Sequence, residues 1–249
     1  MQFSRFCAVL GFTALLIAPP AWADSVTLNP SKDNSLYQDA TGQLSNGAGE
    51  FLFAGRTAQG SNFLRRALLA FDVAGNVPAG SLIRSAELTL TVSNSISGGV
   101  NMELRTVSAD WGEGASNASS MGGGGGAQAQ TGDATWLHTF FSTSFWTTAG
   151  GDFAGTASAT TSVAGTGDYT WGSTDPMVAD VQSWLDAPAS NFGWIVIGAE
   201  GTSGSAKRFN SRENADSMTV PRLAINYAPS IFADGFESGN VSAWSTSGP

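Results

Sequence analysis

Histidine and cysteine occur once each in this chain, against eleven basic and twenty acidic residues. His138 lies between Leu137 and Thr139-Phe140, and no Gly-x-Ser-x-Gly elbow is present to hold a nucleophile beside it. A serine–histidine–acid relay has little to be built from. Zinc sites usually take two or more imidazole or thiolate ligands, so the same count argues against zinc. Oxygen ligands remain. Asp33, Asn34 and Asp39 cluster near the first strand and are the candidates for calcium, which accepts carboxylates and loop carbonyls. The competing reading is that they cap turns, as Asx side chains do. Asp110, Glu113, Asp133 and Asp152 stand near Trp111, Trp136 and Trp146. Paired carboxylates beside aromatic faces would suit polysaccharide cleavage. Solvated loops and core tryptophans explain the same residues without chemistry.

Positive charge is scarce and uneven. Arg65, Arg66, Lys207, Arg208 and Arg212 fall in two segments far apart in sequence. Strand alternation would put Arg208, Asn210 and Arg212 on one face, opposite Phe209, Ser211 and Glu213. A basic stripe on an acidic protein can seat a uronate or sulfate through bidentate guanidinium contacts. The competing reading pairs Arg66 with Glu213, or Arg212 with a glutamate, to fix strand register. Arg66, Lys207, Arg208 and Arg212, with Trp111 and Trp136 beside them, are the expected ligand-binding residues. The run Gly122–Gly126 is not followed by Lys-Ser or Lys-Thr, so a phosphate-cradling loop is not expected.

The N-terminus has the form of an export signal. Arg5 precedes an apolar run from Phe6 to Ile17, Pro19-Pro20 breaks it, and Ala21-Trp22-Ala23 offers small residues for cleavage after Ala23. The run is too short to span a bilayer, which takes about 20 apolar residues. A secreted or cell-surface protein is expected, with residues 1–23 as signal peptide. Cys7 lies in that leader, so the exported part would hold no disulfide and no thiol. The net charge is −9, or −10 once Arg5 is removed, which argues against a nucleic-acid partner.

These residues must be positioned by strands. Val26-Thr27-Leu28, Phe51-Leu52-Phe53, Leu64 to Val73 and Met102 to Val107 are apolar or alternating and bounded by turn residues. Ala86 to Val92 alternates strictly, with Leu88, Leu90 and Val92 on one face. Trp194-Ile195-Val196-Ile197 reads as a buried strand, and Arg208 to Glu213 and Arg222 to Tyr227 complete the set. One segment has helical spacing: Met177, Val178, Val181, Trp184 and Leu185, with Asp175 as N-cap, Pro176 as the first helical residue and Asp186-Ala187-Pro188 as the stop. Thr135 to Phe145 suggests a strand or hairpin. Gly112 to Gly132 reads as a long mobile loop, because a glycine run cannot hold a conformation unaided. The expected fold is all-β: a jelly-roll-like β-sandwich over residues 24–228 with one short helix and a long glycine-rich loop, followed by a tail over 229–249.

Several segments in this order resemble the DNRLRE family of secreted bacterial β-sandwich domains, which is close to carbohydrate-binding modules associated with alginate. The matching residues are Arg66-Ala-Leu-Leu-Ala-Phe71-Asp72, Val77-Pro78-Ala-Gly80, Ile83-Arg-Ser-Ala86-Glu-Leu88-Thr-Leu90 and Asp110-Trp111. Asp180-Val-Gln-Ser-Trp184-Leu185, Gly193-Trp-Ile-Val-Ile197, Phe209-Asn-Ser211-Arg212-Glu213 and Pro221-Arg222-Leu223 continue the match. The sequence departs from the pattern in its middle, where Gly112-Glu113-Gly114 and a glycine-rich insertion follow Asp110-Trp111. The tail resembles the Asp-Gly-Phe-Glu-Ser-Gly segment near the C-terminus of many exported Gram-negative proteins. The resemblance implies a non-catalytic module that binds carbohydrate, with an acidic polysaccharide or cell-surface glycan as partner. A structural or adhesive part of an envelope assembly is the alternative, and a polysaccharide-degrading enzyme the second.

Overall fold

The computed structural model describes residues 23–60 and 63–229, with the backbone alone described at Ser120 and Met121. All but one residue of the expected signal peptide and of the tail lie outside these bounds. The strands are β1 (Asp24–Leu28), β2 (Lys32–Tyr37), β3 (Leu44–Ser45), β4 (Phe51–Arg56), β5 (Leu64–Ala70), β6 (Leu82–Ser95) and β7 (Val100–Thr106). The short strands β8 (Ala127–Gln128), β9 (His138–Phe140) and β10 (Ser144–Phe145) follow, then β11 (Ala159–Val163) and β12 (Gly167–Trp171). Helix α1 (Asp175–Asp186) precedes β13 (Trp194–Ile197), β14 (Lys207–Asn210) and β15 (Arg222–Ala228). Over the described residues the fold is all-β with one α-helix, as the alternation predicts.

One large antiparallel sheet curls on itself. Its first half pairs β1 with β15 and runs β15 and β14 along one side of β6, with β12 on the other. Its second half orders β2, β5, β13, β7 and β11. Strand β4 joins them: Phe51–Ala54 pair with β14, and Gly55–Arg56 turn to pair with β5. Gly55 at φ +113° makes that corner, and a Cβ there would stand 2.8 Å from the Ala206 Cα.

The main core fills the space between the two faces. Leu88, Leu90 and Val92 of β6 point in, as do Leu223, Ile225 and Tyr227 of β15. Helix α1 closes one end, burying Met177, Val181, Trp184 and Leu185, with Trp184 at 4.4 Å from Trp194. The cap is Thr174 rather than Asp175: the Thr174 hydroxyl accepts the Met177 N–H, and Asp175 begins the helix.

The second half-sheet is buried on its outer face too. Leu68 and Ile195 point away from the main core into a second cluster with Trp111, Trp136 and Trp146. Residues 107–158 fold back over that face, which is why Trp194–Ile197 is a continuous apolar run. The glycine-rich segment from Gly112 to Gly132 is a long loop held by hydrogen bonds to its surroundings. Its glycine run is pinned from outside itself: the Tyr37 hydroxyl donates to Gly123 O (2.8 Å) and the Arg65 guanidinium to Gly124 O (3.2 Å).

Candidate functional site

The expected basic stripe does not form, because β14 ends at Asn210 and Arg212 lies beyond its alternation. The four expected cations do not share one face. Arg66 forks onto Glu200 (2.7 and 3.0 Å), donates to Gly150 O, and stacks over Trp136 at 4.8 Å. Arg212 holds both oxygens of Glu113 (2.7 and 2.8 Å). The ion-pair reading is thus right in kind for both arginines, although Glu213 is not the partner of Arg66. Lys207 is fully buried, with its ammonium within 3.0 Å of five oxygens: Ser95 Oγ, Ser97 O and Oγ, Gly98 O and Ala164 O. It ties the β6–β7 turn to the β11–β12 turn, and these bonds engage its ammonium.

Trp111 and Trp136 are corrected likewise. Trp111 is fully buried, donates its indole N–H to Phe192 O (2.9 Å), and has Lys32 Nζ over its ring at 4.4 Å. Trp136 is buried beneath Arg66. Neither ring offers an open face to a sugar.

Arg208 is the cation that faces a cleft. It alternates with the inward Lys207 and Phe209, so its side chain leaves the core side. Its guanidinium stacks over Phe51 at 4.0 Å, and Nε donates to Ser93 Oγ (3.1 Å). Among the described residues it has no carboxylate partner. Burial lowers its pKa, but a guanidinium stays charged at neutral pH. A cleft of about 220 Å³ opens beside it, lined also by Phe53, Arg65, Asn94, Ile96 and Gly122. Among the described residues, no acidic side chain lines this cleft.

Arg65 supplies its second positive charge. It stacks on Tyr37 at 4.7 Å, and alternation along β5 sends it to the opposite face from Arg66. The glycine loop forms the facing wall. Gly122 has φ +70°, and a Cβ there would stand 2.7 Å from Arg208 Nη1. A side chain at that position would push the guanidinium aside.

The carboxylates considered for cleavage chemistry are all engaged locally. Asp110 pairs with Lys32, Glu113 with Arg212, Asp133 accepts from Ser116 N and Gln130 N, and Asp152 accepts from Thr147 N and Thr148 N. His138 meets Thr135 Oγ1 through Nδ1 (2.9 Å) and packs against Phe141 and Phe145.

The expected calcium set separates as well. Asp39 caps a turn, accepting from Thr41 Oγ1 (2.6 Å) and Gln43 N (3.0 Å), which is the Asx-turn reading. Asn34 is a buried hub whose Oδ1 accepts from Ser35 N, Ser45 Oγ and Asn46 N. Asp33 is fully buried and meets Glu113 and Glu213 instead. Burial raises its carboxyl well above the usual range, and the Glu213 and Glu113 charges push the same way.

No protein-family model matches this sequence, and no curated protein matches it either. Among the described residues, no helix is long and apolar enough to cross a membrane.

Proposed function

We infer that this protein is an exported, non-catalytic module that binds an acidic polysaccharide, with Arg208 as the anion-recognising residue and the buried Arg65 adding positive charge beneath the glycine loop. The observation that carries this reading is the cleft itself: two guanidinium groups and, among the described residues, no carboxylate, in a chain of net charge −9. Such a chain repels polyanions unless the sign reverses locally. The outward N–H groups of Arg208 suit a carboxylate or sulfate, which guanidinium binds with planar, charge-assisted hydrogen bonds. Ile96, exposed at the cleft, gives it apolar surface for a sugar ring. The resemblance to the DNRLRE domains points to the same partner class, and the signal-like N-terminus to the same compartment.

The test is affinity electrophoresis of the exported chain through gels carrying alginate, polygalacturonate or a neutral glucan. Retardation by the acidic polymers alone is expected. Retardation by the neutral glucan alone, or by none, overturns the reading. Release of reducing sugar from any of them would make the protein an enzyme.

A further inference from the structure

We propose that Asp33, Glu113 and Glu213 hold a divalent cation of the size and hardness of calcium. One carboxylate oxygen from each lies within 4.8 Å of the other two. Oxygens on opposite sides of a calcium ion, each at 2.3–2.6 Å, are up to about 5 Å apart, so this spread fits within one coordination sphere.

A second observation points to a ligand. Asp33 is fully buried, its Oδ2 accepts the Arg212 N–H (2.8 Å), and its Oδ1 has no hydrogen-bond partner among the described residues. Glu213 Oε2 is buried without a partner as well. Unpartnered buried oxygens are rare in folded proteins and costly to leave so.

Charge supports the assignment. The cation bonded to these carboxylates is Arg212, whose guanidinium takes both oxygens of Glu113 and lies 3.4 Å from Glu213 Oε1. One positive charge faces three carboxylates, which leaves two negative charges for a divalent ion to balance. Arg212 does not exclude the ion, since ligating carboxylates are usually hydrogen-bonded in turn. The donors are all oxygens, which selects a hard cation. Glu113 and Glu213 are partly exposed and leave a path from solvent, while Asp33 forms the floor.

Such an ion would join three distant segments: β2, the stretch after β7 and the stretch after β14. In an exported chain without cysteine, that is the linking role a disulfide often fills.

The experiment uses the exported chain stripped with EGTA and dialysed, then titrated with calcium chloride by calorimetry and melted with and without calcium at pH 7. One ion per chain is expected, with a melting temperature raised by about 5–10 °C at a hundredfold excess over Kd. Asp33→Asn and Glu213→Gln should each weaken calcium binding at least about tenfold, the lower bound seen for loss of even an outer-shell partner. The conservative Glu213→Gln serves if Asp33→Asn fails to fold. Absence of calcium binding by the wild type overturns the proposal. So does calcium binding that survives in the folded variants unchanged. A melting temperature indifferent to calcium that climbs as pH falls also overturns it, because a shared proton would then be what neutralises the group.

Discussion

Lys207 shows how a charge that looks functional in sequence can be structural. Its neighbours in β14 alternate, so Lys207 shares the inward face with Phe209. Its four-carbon stem reaches the end of the sandwich, where two turns present carbonyl and hydroxyl oxygens. Sequence alternation gives the face but not the distance to the sheet's end, so the turn oxygens were not legible. Replacing Lys207 with Met keeps the stem's volume and removes the donors. Hydrogen bonds to charged groups are each worth about 1.5–3 kcal/mol and are not additive here, so a loss of about 3 kcal/mol is expected. For a chain of this size that lowers the melting temperature by about 6–12 °C. A melt within 2 °C or so of wild type would show that these contacts contribute little.

At the scale of elements, alternation and helical spacing did most of the work. Strands β6, β7, β13 and β15 and helix α1 lie where the apolar pattern puts them, because each buries a face against the main core. Strand β2 was missed: Lys32-Asp33-Asn34-Ser35 reads as turn composition. Asp33, Asn34 and Ser35 are nonetheless buried, bonding respectively Arg212 N, the overlying layer through Asn34 Nδ2 to Glu113 O (2.7 Å), and Phe53 N. The adjacent Arg65-Arg66 pair held a usable signal, since consecutive strand residues face opposite ways. The glycine loop depends on β2 for its shape. Tyr37→Phe removes the bond to Gly123 O and should cost about 1 kcal/mol of stability. Gly122→Ala forces a left-handed backbone on an L-residue at about 1–2 kcal/mol and crowds Arg208. Both variants should stay folded by circular dichroism yet bind alginate more weakly in the affinity gel. Undiminished binding by both would remove the loop from the site.

At the scale of the whole molecule, what matters is a negative protein with a positive recess beside Arg208. Composition made the negative field legible, and the scarcity of cations pointed to where it could reverse. What composition could not resolve was which cations are already neutralised. Arg66 and Arg212 meet Glu200 and Glu113 across more than ninety residues of sequence, and only the fold brings such partners together. Arg208 is left facing the cleft. Its contact with a polyanion would be partly exposed and screened over about 8–10 Å, so affinity should be modest and fall as salt rises. The deciding measurement is calorimetric titration of alginate oligosaccharide into wild type and Arg208→Ala at low and at physiological salt, with thermal melts of both proteins. Wild type should bind, more weakly at the higher salt, and the variant should melt normally and lose at least about tenfold in affinity, the equivalent of one charge-assisted hydrogen bond. A folded Arg208→Ala that binds as wild type does would contradict the assignment of the cleft.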